Sequence, residues 1–86
     1  MQAQTVVARN IRRLRVAKGI SQEALAIEAT VDRTYVSRLE RAMENPSVGV
    51  LERLAGALDC EIGEFFDKAK VARGPVAPLK KGRKPL

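Results

Sequence analysis

Apolar residues recur at spacings of three and four along most of this chain. Such spacing places them on one face of an α-helix, and no segment shows the strict alternation that marks a half-buried strand. Residues that stop or cap helices divide the pattern into five segments, at residues 7–18, 22–29, 33–41, 48–58 and 62–68. The sequence therefore predicts an all-α fold of five short helices.

The ends of the predicted helices carry residues that suit those positions. Gly19 follows the first helix and readily adopts the left-handed backbone with which many helices end. Short polar residues precede three of the other helices, and their side chains are good caps for free backbone N–H groups. These residues are Ser21, Asp32 and Ser47.

The C-terminal part differs from the rest in composition and in charge. From residue 72 onward, glycine or proline interrupts the chain every few residues and no apolar periodicity remains, which is typical of a flexible or extended tail. Residues 1–67 hold nine Lys and Arg against ten Asp and Glu, a net charge of −1, whereas residues 68–86 carry +7. We therefore expect a folded domain at residues 1–68 and a basic tail at residues 69–86.

The residue content excludes several classes of function. The chain has no histidine and a single cysteine, Cys60, which removes the commonest general base and metal ligand and leaves no zinc cluster. We find no catalytic constellation, so we expect neither an enzyme nor a cofactor, a metal site or a small-molecule effector domain. No apolar run reaches membrane-spanning length and the N-terminus lacks the apolar core of a signal peptide, which predicts a cytoplasmic protein.

The predicted helices 22–29 and 33–41 are separated by only three residues. This is the spacing of a helix-turn-helix, in which the first helix braces the second so that it projects from the body. With Val36 and Leu39 turned inward, the outer face of the second helix holds arginines and hydroxyl residues and no acid. Arginine binds guanine and phosphate through its forked guanidinium, so this face predicts contact with double-stranded DNA. Its residues are Arg33, Thr34, Ser37, Arg38 and Arg41.

A specific combination of residues extends over nearly the whole predicted domain. It comprises Ile11, Leu14, Arg15, Gly19-Ile20-Ser21-Gln22-Glu23, Leu25, Ala26, Val36, Ser37, Leu39-Glu40-Arg41, Asn45-Pro46-Ser47, Leu51, Leu54, Ala55 and Leu58. In these positions residues 11–66 resemble the phage-repressor-like helix-turn-helix regulators, the Xre/Cro-like family. The run from Asp32 to Ser37 is also similar to restriction–modification controller proteins, small dimeric members of that family. The resemblance implies a lambda-repressor-like domain that regulates transcription as a homodimer, with residues 33–41 in the major groove.

The resemblance also implies a role for individual polar residues. The positions expected to contact base edges are Arg33, Thr34 and Arg38. Those expected to contact the DNA backbone are Gln22, Tyr35, Ser37 and Arg41. The paired arginine and glutamate of the family fall on Arg15 and Glu40, which also lie at the edges of apolar faces, as an ion pair between helices requires. Packing is an alternative for Tyr35, backbone contact is an alternative for Arg33 and Arg38, and Gln22 is also a candidate to brace the next helix.

Four residues depart from the family pattern. Glycine is common in the family at the positions of Thr30 and Ala42, and Ala42 carries backbone strain if its φ is positive. Met43 and Glu44 stand where relatives are frequently basic, and an acid beside phosphates weakens such a contact. The basic tail is one hypothetical source of the missing positive charge, and a solubilising tail without DNA contact is the alternative.

Aromatic residues near the end of the predicted domain exceed what so small a core needs. We expect a two-fold dimer formed through this region, with Ile62, Phe65 or Phe66 at the interface. An alternative function belongs to another class: an antitoxin-type protein that masks a partner protein and binds DNA secondarily. Only residues 69–86 are left to bind such a partner.

Overall fold

The computed structural model describes residues 2–72, and every element in this part of the chain is helical. The helices are α1 (Ala3–Lys18), α2 (Gln22–Ala29), α3 (Arg33–Glu40), α4 (Val48–Leu58) and α5 (Lys68–Ala72), with a 3-10 helix (Ile62–Phe66) before α5. The all-α prediction is confirmed, although α1 begins earlier than expected. Crossing a bilayer takes about 20 apolar residues in one helix, and none of the helices in the described part of the chain meets that condition.

The helix ends are capped by the residues that the sequence indicates. Ser21, Asp32 and Ser47 each accept a hydrogen bond from a backbone N–H in the turn that follows, at 3.0–3.1 Å. Gly19 has a φ of +78°, and its N–H donates to carbonyl oxygens in the last turn of α1. These bonds satisfy backbone groups that a helix leaves unpaired at its ends, so local chemistry places the turns.

The apolar faces of α1 to α4 meet in one core, which the 3-10 helix closes. Burying one large apolar side chain contributes about 1.5–3 kcal/mol, and each element supplies at least one. The largest fully buried apolar side chains are Phe65, Ile11, Leu25, Leu39 and Leu54. Val48, an apolar residue at the first position of α4, is exposed.

The C-terminal part of the fold differs from the expectation in two ways. The fifth predicted helix is two elements, because Asp67 is extended and its carboxylate accepts a hydrogen bond from the N–H of Ala69, which starts α5 anew. Val71 is buried and α5 packs against α1, so the folded part reaches Ala72 rather than ending at residue 68. The rest of the expected basic tail, residues 73–86, lies outside the described residues.

One buried polar side chain ties α1 to the segment after α4. Asn10 is fully buried, and its Nδ2 donates to the carbonyl oxygens of Phe65 at 3.0 Å and of Asp67 at 3.1 Å. Arg13 donates to Asn10 Oδ1 through Nε at 3.0 Å and through Nη2 at 2.9 Å. Both amide donors and the amide oxygen are therefore satisfied, so the burial of Asn10 leaves no polar group unpaired.

Among residues 2–72, three residues other than glycine have a left-handed backbone: Thr30 with φ +58°, Ala42 with φ +61° and Asp59 with φ +56°. At Ala42 the cause is the turn that ends α3, where the N–H of Met43 donates to the carbonyl oxygen of Arg38 at 2.9 Å. This turn requires a positive φ, which costs an L-residue about 1–2 kcal/mol. The condition for strain at Ala42 is thus met.

Replacing Ala42 by glycine should raise the free energy of unfolding by up to about 1 kcal/mol. The relief of left-handed strain exceeds the extra backbone entropy of an unfolded glycine, which costs about 0.5–1 kcal/mol. Thermal or urea denaturation measures the change. Ala17→Gly, on the exposed side of α1, is the matched control and should lower stability by about 1 kcal/mol. A loss of stability in Ala42→Gly equal to that of the control would contradict the assignment of strain.

Candidate nucleic-acid interface

α2 and α3 form a helix-turn-helix unit around residues 30–32. Thr30 is left-handed, and the N–H of Val31 donates to the carbonyl oxygen of Ala26 at 2.9 Å, which turns the chain out of α2. Val36 and Leu39 are buried in the core. Because these two side chains define the inner side of α3, the opposite side of the helix faces solvent.

The outer face of α3 is basic and hydroxyl-rich. Arg33 and Thr34, at its N-terminal end, are exposed, while Ser37 is half-buried. Arg41 is also exposed, and its Nε donates to the carbonyl oxygen of Ser37 at 3.3 Å. No carboxylate within residues 2–72 forms a salt bridge with Arg33 or Arg41. Two positive charges on this face are therefore presented to solvent.

The Glu40 carboxylate, on the inner side of α3, joins three helices. Arg15 of α1 donates to it twice, from Nε to Oε2 at 2.6 Å and from Nη2 to Oε1 at 3.0 Å. Gln22 of α2 donates from Nε2 to Oε1 at 3.1 Å. The side chains of Arg15 and Glu40 are only 12% and 3% exposed. A bidentate, nearly dry ion pair therefore sets the orientation of α3 relative to α1 and α2.

These contacts define what Arg15 and Gln22 do in the fold. The hydrogen bonds to Glu40 raise the pKa of Arg15 above its ordinary value, against the lowering effect of its burial. The guanidinium also donates from Nη1 to the carbonyl oxygen of Ile20 at 2.9 Å, so it closes the turn after α1 as well. Gln22 braces α3 through one amide hydrogen, and its second amide hydrogen donates to no other group among residues 2–72.

Arg38, in contrast to Arg33, is paired with an acid from the loop after α3. Its Nε donates to Glu44 Oε2 at 2.7 Å, and the two side chains are 42% and 28% exposed. Gln4 of α1 holds this loop, because its Nε2 donates to the carbonyl oxygens of Ala42 at 3.0 Å and of Glu44 at 2.9 Å. One of the three residues expected to contact bases is therefore engaged within the protein.

Tyr35 is half-buried and packs against the core. Burial raises the pKa of its phenol above the ordinary value, and the negative charge of Glu44 raises it further, against the opposing effect of Arg53. The ring therefore packs against the core, which is one of the two alternatives that the sequence left open. Contact of Tyr35 with the DNA backbone stays a prediction.

The three residues expected at a subunit interface differ in exposure. Phe65 is fully buried in the core of its own chain, so its ring has no surface to offer and the expectation for this residue is corrected. Ile62 is partly buried and packs against the same core. Phe66 is 50% exposed, since neighbouring rings on a tight 3-10 helix point in different directions. Phe66 and Ile62 therefore remain as the two candidates for a subunit interface.

Residues 11–65 match the family model described as helix-turn-helix. The chain belongs to the helix-turn-helix family. Similar solved structures include the restriction-modification controller protein C.AhdI from Aeromonas hydrophila, with 43% sequence identity and a TM-score of 0.72, over 73% of this chain and 96% of that chain. C.AhdI thus shares both sequence and fold with this protein.

Two further members of the helix-turn-helix family illustrate the range of relatives. A hypothetical transcription factor from Neisseria meningitidis is 49% identical over 53 residues, which are 62% of this chain and 50% of the relative. The crystal structure of a hypothetical transcription factor from Neisseria superposes with a TM-score of 0.76 and 36% sequence identity over 84% of both chains. The controller protein C.Esp1396I, bound to a 25 base pair operator site, is 33% identical with a TM-score of 0.70, over 77% of this chain and 87% of that chain. The chain spans about half the length, 41% and 50%, of two curated relatives.

Several contacts around the helix-turn-helix were missed by sequence reasoning. Asn10 and Gln4 are polar residues of α1, and their residue types predict exposure to solvent. Nothing in their spacing indicates the carbonyl groups that they bond far along the chain. Glu44 was recognised only as a departure from the family's basic loop. The signal available for its pairing was weak: Glu44 follows Arg38 by six residues, beyond the reach of contacts within a helix.

Removing the Glu40 carboxylate should destabilise this helix-turn-helix domain strongly. Glu40→Ala leaves Arg15 buried without its partner, which costs roughly 3–5 kcal/mol, whereas Glu40→Gln keeps an acceptor and should lose less. Denaturation of both variants measures the effect. The control is Glu52→Ala on the exposed side of α4, which should change stability by less than about 0.5 kcal/mol. A melt of Glu40→Ala that matches the control would refute a structural role for the pair.

Proposed function

We propose that this protein is a sequence-specific regulator of transcription that binds double-stranded DNA as a homodimer, with α3 in the major groove. Membership of the helix-turn-helix family supports the DNA-binding function, as does the operator complex of the similar C.Esp1396I. The single observation that carries the proposal for this chain is the outer face of α3. It is exposed, basic and without an acidic side chain of its own.

The dimensions of α3 suit the proposed docking. The major groove is about 12 Å wide and admits one α-helix. Arg33 and Thr34 lie in the first turn of α3, which in helix-turn-helix proteins is the part that reaches base edges. We assign base contacts to Arg33, Thr34 and Arg38, and contacts with the DNA backbone to Gln22, Tyr35, Ser37 and Arg41.

A dimer is part of the proposal because one short helix reads few base pairs. Two copies related by a two-fold axis place their helices in half-sites about 34 Å apart on one face of the duplex. Exposed Phe66 and partly buried Ile62 supply apolar surface for the contact between subunits. C.Esp1396I forms a tetramer on its natural 35 base-pair operator, which supports assembly on DNA in this family.

Selection from a pool of random duplexes tests the proposal as a whole. We expect enrichment of a two-fold symmetric site, and binding that weakens as salt rises because cations are released from the DNA. Enrichment of no sequence at any salt concentration would overturn sequence-specific recognition. Enrichment of a single half-site without symmetry would overturn the dimer alone.

Arg33→Ala and Gln22→Ala should weaken binding in different ways. Arg33→Ala removes a base contact and should relax preference at one base pair per half-site, by about 1–3 kcal/mol. Gln22→Ala removes a phosphate contact and should weaken binding to all sequences alike. Binding assays on single-base operator variants measure both effects. Because Gln22 also donates a hydrogen bond to Glu40, a thermal melt must show that the Gln22→Ala variant is folded at the assay temperature. Interchanged effects would contradict the assignment of roles.

Phe66→Asp should dissociate the dimer. A charged carboxylate in place of an apolar ring loses about 1.5–3 kcal/mol of burial, which is about tenfold or more in the dimer dissociation constant. Sedimentation over a range of concentrations measures this constant. The matched control is Val48→Asp, since Val48 is also an exposed apolar side chain and its place in the first turn of α4 suits an acid. Equal behaviour of the two variants would contradict an interface at Phe66.

A further inference from the structure

The geometry points to Glu44 as a positioning residue that orients Arg38 for base recognition and thereby sets the specificity of this protein at one base pair. This inference rests on the proposed DNA-binding function. It assigns a role to the acid that stands where the family is frequently basic, and whose carboxylate accepts a hydrogen bond from Arg38.

The pairing between Glu44 and Arg38 leaves the reading end of the arginine available. Glu44 Oε2 lies 2.7 Å from Nε, the guanidinium nitrogen next to the aliphatic stem. Neither terminal nitrogen of Arg38 donates to another group among residues 2–72. The Arg15–Glu40 pair differs, since there Nε and Nη2 donate to Glu40 and Nη1 donates to a carbonyl oxygen. Arg38 is thus held at its stem while both terminal donors stay free for guanine O6 and N7.

The backbone around Glu44 is fixed from more than one side. Gln4 reaches from α1 and donates to the carbonyl oxygens of Ala42 and Glu44. The N–H of Met43 donates back to the carbonyl oxygen of Arg38 itself, and Ala42 is held in a left-handed conformation. A loop that is bonded to α1 and to the end of α3 presents its carboxylate at a defined place relative to Arg38. The backbone of Glu44 is therefore fixed by the fold, and the hydrogen bond to Arg38 holds its carboxylate.

Pre-orientation matters because a long arginine side chain loses rotamer freedom when it binds a base. Glu44 restricts Arg38 before DNA arrives, so less freedom is lost on binding in the correct register. Arg33 is exposed and has no salt bridge within residues 2–72, so it lacks this restriction. The two arginines of α3 thus provide an internal comparison within one helix.

The charge of Glu44 has the opposite effect on binding without sequence preference. A carboxylate beside the DNA backbone repels phosphates whatever the sequence. A positioning role therefore predicts that Glu44 strengthens discrimination at one base pair while it weakens affinity for random DNA. An acid that only repels DNA would weaken operator and random DNA by the same factor and leave discrimination unchanged.

Selections with the wild type, Arg38→Ala and Arg33→Ala first identify the base pair that depends on each arginine. Binding of Glu44→Ala, Glu44→Gln and Gln4→Ala is then measured on operators varied at those two base pairs and on random duplex. Thermal melts establish that each variant is folded at the assay temperature. The base pair that depends on Arg33 serves as the control position within every measurement.

Glu44→Ala should reduce preference at the Arg38-dependent base pair by about tenfold per half-site and leave the Arg33-dependent base pair within about twofold. Its affinity for random duplex should rise by about twofold to fivefold, as expected for one partly exposed charge. Glu44→Gln keeps an acceptor oxygen, so it should gain the same affinity for random duplex and retain most of the preference. Gln4→Ala should lose preference at the same base pair without any gain on random duplex, because it removes no charge.

Three outcomes would overturn the inference alone, and a fourth would overturn the proposed function as well. An equal gain on operator and random duplex with unchanged preference would make Glu44 a repulsive charge only. An equal loss of preference at both base pairs would make it a general support of the fold. A wild type that enriches a site without any Arg38-dependent base pair would leave DNA recognition standing and remove the role of Glu44. A wild type that enriches no site would overturn the proposed function itself, and the inference with it.

Discussion

The arrangement of this helix-turn-helix depends on the need to satisfy one buried carboxylate. Glu40 is 3% exposed, and a charge in that position is tolerated only when donors surround it. Arg15 and Gln22 supply those donors from two other helices. A rotation of α3 about its axis would break these hydrogen bonds. The direction of the outer face of α3 is therefore a consequence of the contacts beneath its inner face.

The same constraint explains how a domain without excess positive charge presents a basic surface. Residues 1–67 carry nine basic and ten acidic side chains, so the basic character of this surface does not come from the net charge of that part of the chain. Within α3 the acid Glu40 is turned inward and neutralised, whereas Arg33 and Arg41 face solvent. Local separation of charge across one short helix creates the positive potential that a polyanion encounters.

The loop after α3 contains both a strained residue and the acidic partner of Arg38. Its left-handed Ala42 costs free energy where glycine would not, yet the turn brings Glu44 back to Arg38. Gln4 adds two hydrogen bonds from the beginning of α1 to the same loop. The conformation of a potential DNA-contacting arginine is thus coupled to the far end of the chain's first helix. Strain at such a place is tolerated because the surrounding contacts determine the conformation.

The sequence alone determined the features that depend on local chemistry. Periodic apolar residues define α2 and α4, and Ser21, Asp32 and Ser47 cap their helices through bonds to residues two or three positions away. Family resemblance added the pairing of Arg15 with Glu40. Only the tertiary structure decided which of two adjacent rings is buried, that Asn10 and Gln4 bond carbonyl groups 38 to 57 residues away, and that Glu44 pairs with Arg38. Such contacts depend on how helices pack, and no spacing along the chain encodes that geometry.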